Sequence, residues 1–213
     1  MSGRRLRAVA WDIDGTLIDS EPLHHRALLD ACRTYGADLS DLPDQAFRGI
    51  HTGDVWTAIR DRLPAGTVQD EWLDRINAHY VSQRHTLVAE PEAVATIRAL
   101  AGLGIAQLCV SNSCRSVVDA NIDALGISDA IAFSLSLDDV VCGKPDPEPY
   151  RRACERLGIA PDEVAAVEDS MSGARSARAA GLYVVGYRAG GVSFEDIDLE
   201  IDGLQEIVPL FKR

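Results

Sequence analysis

The sequence predicts an α/β protein: a doubly wound parallel sheet with a helical segment inserted after its first strand. Two observations predict it. After Pro91 short apolar strands alternate with helices of about ten residues, the pattern of a parallel sheet covered on both faces. From Ser20 to Arg84, by contrast, the chain reads as helix after helix with few β-branched runs.

Arg7–Trp11 (RAVAW) reads as a short buried strand, broken by the acidic run Asp12-Ile-Asp-Gly-Thr-Leu. Ser20-Glu-Pro opens the first helix, with Ser20 as N-cap and Gly36 just beyond its end. Helical stretches follow at about Asp54–Leu63 and Val68–Arg84. The alternating region then gives helix Glu92–Leu103, strand Ile105–Val110, helix Ser116–Leu125, strand Ala130–Leu135, helix Pro147–Leu157, strand Val164–Val167, helix Ser172–Ala180 and strand Tyr183–Tyr187. The organisation expected is a Rossmann-like core of residues 1–17 and 86–213, with a helical cap at 18–85.

Composition narrows the function. Of 213 residues, 21 are Lys or Arg and 33 are Asp or Glu, a net charge of −12 that argues against a nucleic-acid or anionic-membrane footprint. Five scattered cysteines with no C-x-x-C pair suggest reduced thiols in the cytoplasm. The apolar run after Arg4, Arg5 and Arg7 is too short for a signal peptide, and no stretch approaches the roughly 18 apolar residues of a spanning helix. A monomer acting on a small molecule is expected.

In open parallel sheets, ligands bind outside the carboxyl ends of the strands. Those ends carry Asp12 and Asp14, Ser111-Asn112-Ser113, Lys144 after a short connection, and Glu168-Asp169. Asp12 and Asp14 are two apart and can face one side. A carboxylate nucleophile with a second carboxyl for proton transfer suits phosphoryl transfer, although an acidic turn closing a strand would look the same. Glu168 and Asp169 would meet that pair across the rim, and so many carboxylates call for a cation, Mg²⁺ above all; Asp169 could instead merely cap the next helix. Ser111 and Asn112, before a helix, could hold phosphate oxygens or form a plain Ser/Asn turn. Lys144, one of two lysines among 21 cations, offers a compact point charge in Gly143-Lys-Pro-Asp-Pro. In the helical segment Arg48 and His51 could reach an anionic substrate, whereas His24 reads more simply as helix packing or surface.

Taken in order, these clusters resemble the haloacid dehalogenase superfamily, in its helical-cap phosphatase and β-phosphoglucomutase branch. Asp12-Ile-Asp-Gly-Thr-Leu-Ile-Asp-Ser stands for the first motif, followed by Glu21-Pro-x-His24. Ser111 with Asn112 stands for the second, Lys144-Pro for the third and Glu168-Asp169-Ser-x-x-Gly173 for the fourth. The resemblance implies Asp12 as nucleophile and Asp14 as general acid and base. It implies Mg²⁺ held by Asp12, the Asp14 carbonyl and Asp169, with Glu168 binding directly or through water, and with Ser111 and Lys144 on the transferring oxygens. His24 joins Arg48 and His51 as a possible substrate contact of the cap.

Asp14 argues for phosphate over halide chemistry, since dehalogenases of the superfamily generally lack the second Asp. A phosphatase acting on a sugar or sugar-acid phosphate is favoured over a phosphohexose mutase, because the cap has no lysine, though Arg48, Arg60, Arg62, Arg75 and Arg84 are available. A receiver-like signalling module is the remote alternative. Its acid pair would come first and its lysine last, the reverse of the order here.

Overall fold

The structure, a computed structural model, describes residues 5–39, 41–42, 47, 52–188 and 193–212. In chain order the strands are β1 (Ala8–Trp11), β2 (Ile18–Asp19), β3 (Val88–Ala89), β4 (Ala106–Val110), β5 (Phe133–Leu135), β6 (Val164–Glu168), β7 (Tyr183–Tyr187) and β8 (Leu199–Ile201). The helices are α1 (Glu21–Thr34), α2 (Thr52–Ile59), α3 (Gln69–Ser82), α4 (Ala93–Gly102), α5 (Arg115–Leu125), α6 (Glu148–Leu157) and α7 (Met171–Ala180).

Six strands form one sheet in the order β5-β4-β1-β6-β7-β8, and every pairing is parallel. The first strand of the chain is therefore central. The chain builds outward through β4 and β5 on one side, then crosses to β6, β7 and β8 on the other. That change of direction beside β1 is where a doubly wound sheet opens a crevice.

Period-two patterning decides what each face touches. Ala8, Ala10, Leu108, Val110, Val164, Ala166 and Val184 share a buried cluster with Tyr150, Ala153 and Cys154 of α6 and Ala174, Ala177 and Ala180 of α7. Alanine on both sides lets helix and sheet approach closely. Elsewhere in the sheet the Trp11 indole donates to Gln107 Oε1 (3.1 Å), and the Gln107 amide donates to the Ile97 carbonyl of α4 (2.9 Å). Both polar groups are buried, and this chain of bonds removes their desolvation penalty.

The chain divides into two units, Met1–Asp19 with Val88–Arg213, and Ser20–Leu87. Each boundary falls two residues later than the 17/18 and 85/86 of the sequence reading (19 against 17, 87 against 85). The cause is the antiparallel pair β2–β3, in which Ile18 lies opposite Ala89 and the Glu90 N–H donates to the Leu17 carbonyl at 2.9 Å. Two-residue strands carry no readable alternation. The three-residue β8 and the 3-10 segment Leu204–Phe211 escape sequence reading for the same reason.

Within the helical unit, α1 buries Leu23, Ala27, Leu28, Ala31 and Cys32, and α3 buries Trp72, Ile76 and Tyr80 at every fourth position. The two helices pack together, with the His24 and Tyr80 rings 4.4 Å apart and His79 Nε2 3.1 Å from Asp30 Oδ2. Ser20 occupies the N-cap position of α1, but its hydroxyl caps nothing. Its backbone is already helical (φ −93°, ψ −17°), not the extended form that aims a cap side chain at the first turn. Among the described residues no helix is long and apolar enough to cross a membrane.

Candidate active site

The site is built where β1, β4 and β6 end. The Asp12 N–H continues the ladder onto the Val167 carbonyl (3.0 Å), so Asp12 is fixed beside the last residues of β6. Ser111 immediately follows β4, and its N–H bonds the Leu135 carbonyl (3.0 Å). Glu168 is the final residue of β6, and Asp169 and Ser170 precede α7. The alternative role for Asp169 is filled by its neighbour: Ser170 Oγ accepts from the Gly173 N–H at 3.1 Å and caps α7.

A buried ion cluster occupies the middle of the rim. Lys144 Nζ donates to Asp12 Oδ1 (2.6 Å) and to the Val110 carbonyl (2.8 Å), and lies 2.7 Å from Glu168 Oε1. All three ionisable groups are buried, Glu168 completely. Tyr150 OH donates to Glu168 Oε1, and its ring lies 5.4 Å under the ammonium. Thr16 Oγ1 bridges Asp12 Oδ2 (3.0 Å) and Asp169 Oδ1 (3.4 Å).

Burial raises the Asp12 carboxyl above its ordinary range against the attraction of Lys144, with the Asp14 charge adding to the rise. Burial likewise pushes Glu168 up to about 7, again against Lys144, and pushes Asp169 up to about 8 with the Asp12 and Glu168 charges adding to it. Burial works against the Lys144 charge, but Asp12 and Glu168 outweigh it and hold the ammonium protonated. One ammonium faces three carboxylates, so the ionised cluster carries two uncompensated negative charges.

The residues fit a divalent cation. Asp12, Glu168 and Asp169 each offer a carboxylate oxygen, all within 4.8 Å of one another. Glu168 Oε2 is buried with no hydrogen-bond partner among the described residues, a costly state unless something positive reaches it. Hard oxygen donors of this kind suit Mg²⁺. The backbone makes room for this geometry at two glycines. A Cβ at Gly173 would run into the Glu168 carboxylate, and one at Gly15 (φ +82°) would run into Asp169 Oδ2.

Asp14 sits in a different environment. Its Oδ2 accepts from Ser111 Oγ (3.1 Å) and Ser113 Oγ (3.0 Å), and its Oδ1 accepts from Asn121 Nδ2 (3.0 Å). Two carboxylates two residues apart thus meet different partners, Asp12 an ammonium and Asp14 two hydroxyls and an amide.

The Asn112 side chain is engaged with the lysine loop. Its side-chain Nδ2 donates to the Lys144 carbonyl (3.0 Å) and its Oδ1 accepts from the Lys144 N–H (2.8 Å). Both ends of the amide are thus clamped to the lysine loop. The Lys144–Pro145 peptide within that loop is cis. A Cβ at Gly143 would stand 2.8 Å from Asn112 Oδ1, which accounts for the glycine before the lysine.

Of the helical-unit candidates, His24 stacks on Tyr80 as described, while Arg48 and His51 fall outside the described residues. Sequence reasoning missed Thr16, Asn121 and Tyr150 as parts of the site, and placed Ser113 in its cluster without a role. Asn121, a poor helix former at a helix-interior position, was the one signal available. Tyr150 reads as an ordinary core aromatic.

Comparison with known proteins shows what the chain is similar to. The haloacid dehalogenase-like hydrolase family matches residues 6–181. Hexitol phosphatase A of Escherichia coli K12 is 28% identical over 95% of this chain and 94% of its own length. Hexitol phosphatase B of the same organism is 31% identical over 83% of this chain and 81% of its own. The crystal structure of CbbY from Rhodobacter sphaeroides in complex with phosphate aligns with a TM-score of 0.83 at 25% identity, covering 95% of this chain and 96% of that one.

Proposed function

The chain belongs to the haloacid dehalogenase-like hydrolases and is a phosphoric monoester hydrolase, and we propose that it is a Mg²⁺-dependent phosphatase cleaving a small phosphorylated sugar or sugar acid through an aspartyl-phosphate on Asp12. The observation that carries the reading is the buried contact of Lys144 with Asp12 and Glu168 at the strand ends, with Asp169 close by.

In the first half-reaction an Asp12 carboxylate oxygen bonds to phosphorus as the bond from phosphorus to the leaving oxygen breaks. Asp14, protonated at that point, gives its proton to the leaving oxygen, which departs as an alcohol. Ionised Asp14 then takes a proton from a water as that water attacks phosphorus. The bond from phosphorus to Asp12 breaks, inorganic phosphate leaves, and both carboxyl groups return to their starting states. Lys144 holds Asp12 ionised and places positive charge beside the transferring oxygens, and Ser111 with the Asn112 N–H donates to them. Asp12, Glu168, Asp169 and the Asp14 carbonyl would hold Mg²⁺, which when bound supplies charge neutralisation for the phosphoryl oxygens. Leaving-group recognition is assigned to the helical insert through Arg48, His51 and His24. The thiols, with Cys32, Cys109 and Cys154 buried, support a reducing cytoplasmic setting, and the protein is taken to act as a monomer.

Purified protein with Mg²⁺ is expected to release phosphate from p-nitrophenyl phosphate and from members of a panel of hexitol, sugar and sugar-acid phosphates. Asp12→Asn should bring all of these to background, and activity surviving that change would remove Asp12 from its role. Including β-glucose 1-phosphate with a bisphosphate activator tests the mutase alternative: glucose 6-phosphate in place of free phosphate would overturn the phosphatase assignment.

A further inference from the structure

Asn121 lies on the inward face of α5 with Val117, Val118, Ala120 and Leu125, and is completely buried. An amide there costs free energy unless it is bonded, and asparagine is a poor choice for a helix interior. Its Nδ2 reaches Asp14 Oδ1 at 3.0 Å, from a residue 107 positions later in the chain. The other carboxylate oxygen accepts from two hydroxyls, Ser111 at 3.1 Å and Ser113 at 3.0 Å, while the Ser113 N–H donates to Ser111 Oγ at 3.0 Å.

We propose that Asn121 and Ser113 are positioning residues for Asp14, one donor on each carboxylate oxygen, and that they free Ser111 to turn to the transferring phosphoryl group. Held at both oxygens, the carboxylate keeps its plane after the Ser111 bond is lost. With either positioning donor removed that hold on the plane is weakened. The inference rests on the proton-transfer role given to Asp14 above and adds the residues that aim it.

The test exploits the leaving group. p-Nitrophenolate departs readily without a proton, whereas an alkoxide needs one, so in the first half-reaction misaiming Asp14 harms alkyl phosphates selectively, whereas hydrolysis of the aspartyl-phosphate needs Asp14 as base for every substrate. In single-turnover mixing with excess enzyme, Asn121→Ala and Ser113→Ala are each expected to slow alcohol release from the best alkyl phosphate of the panel about tenfold or more, with p-nitrophenolate release from p-nitrophenyl phosphate within about threefold of the parent. Equal losses on both substrates would mean a merely structural role and overturn the proposal, as would no loss on either. Asp14→Asn is the reference. If it shows no selectivity for the alkyl substrate, the role of Asp14 itself falls; if it does and the other two variants do not, only the positioning inference falls. Ser113 is half-buried, so Ser113→Ala decides the matter alone if Asn121→Ala fails to fold.

Discussion

The two units of the chain treat polar groups in opposite ways. In Met1–Asp19 with Val88–Arg213, the ionisable groups of Asp12, Lys144 and Glu168 are buried, and so are the neutral polar side chains of Gln107, Asn121 and Ser176. In Ser20–Leu87 the only buried polar residue among those described is Ser20, and the ion pairs, such as Arg62–Asp41 and Arg33–Asp30, lie at the surface. A folded chain keeps charges in its interior only when geometry compensates them, so the α/β unit is where the chemistry has been built in. The helical unit is an ordinary apolar core with a solvated exterior.

Substitution should follow that contrast. Lys144→Met removes the sole ammonium from a buried set of carboxylates and is expected to cost about 3–5 kcal/mol in urea unfolding, besides abolishing activity. A loss below about 1 kcal/mol, the size typical of exposed pairs, would show that the cluster is solvated and the contrast false.

Gly173→Ala is next. Alanine is favoured over glycine in a helix by about 1 kcal/mol, which predicts stabilisation, but the added methyl collides with the Glu168 carboxylate. The expected outcome is a net destabilisation of about 1–3 kcal/mol together with weaker Mg²⁺ binding by calorimetry; stabilisation with unchanged Mg²⁺ affinity would contradict the close approach.

Arg62→Ala breaks a two-bond contact with Asp41 (2.6 and 2.9 Å), yet both groups are solvent-exposed. It should leave both Tm and kcat unchanged within error, and a measurable fall in Tm would give the helical unit's surface an energetic weight that exposed pairs rarely have.

The same contrast explains what could be read from sequence. Asp12, Asp14, Glu168 and Asp169 were legible because charged residues directly after apolar strands stand out, and the strand ends define where they meet. Lys144 stood out by its rarity among arginines. Asn121 and Tyr150 were not legible, because each sits on a helix at a position that packing alone would fill, and the partner that explains it is remote in sequence. Asn112 was assigned to phosphate by its place before a helix, and only the three-dimensional path of the Gly143–Pro145 loop shows where its amide goes. In the helical unit α1 and α3 were readable from four-residue spacing, whereas residues that read a leaving group carry no such period.

The central position of β1 bears on how the protein forms. Ala8 pairs with Ala106 on one side and Val164 on the other, so the strand that carries Asp12 is synthesised early and acquires its neighbours late. Such long-range pairing makes for high contact order and slow, late closure of the sheet. The ribosome must deliver Glu168 and Asp169 before the ion cluster is complete, so a nascent chain halted short of β6 would hold Asp12 without the acids that surround it.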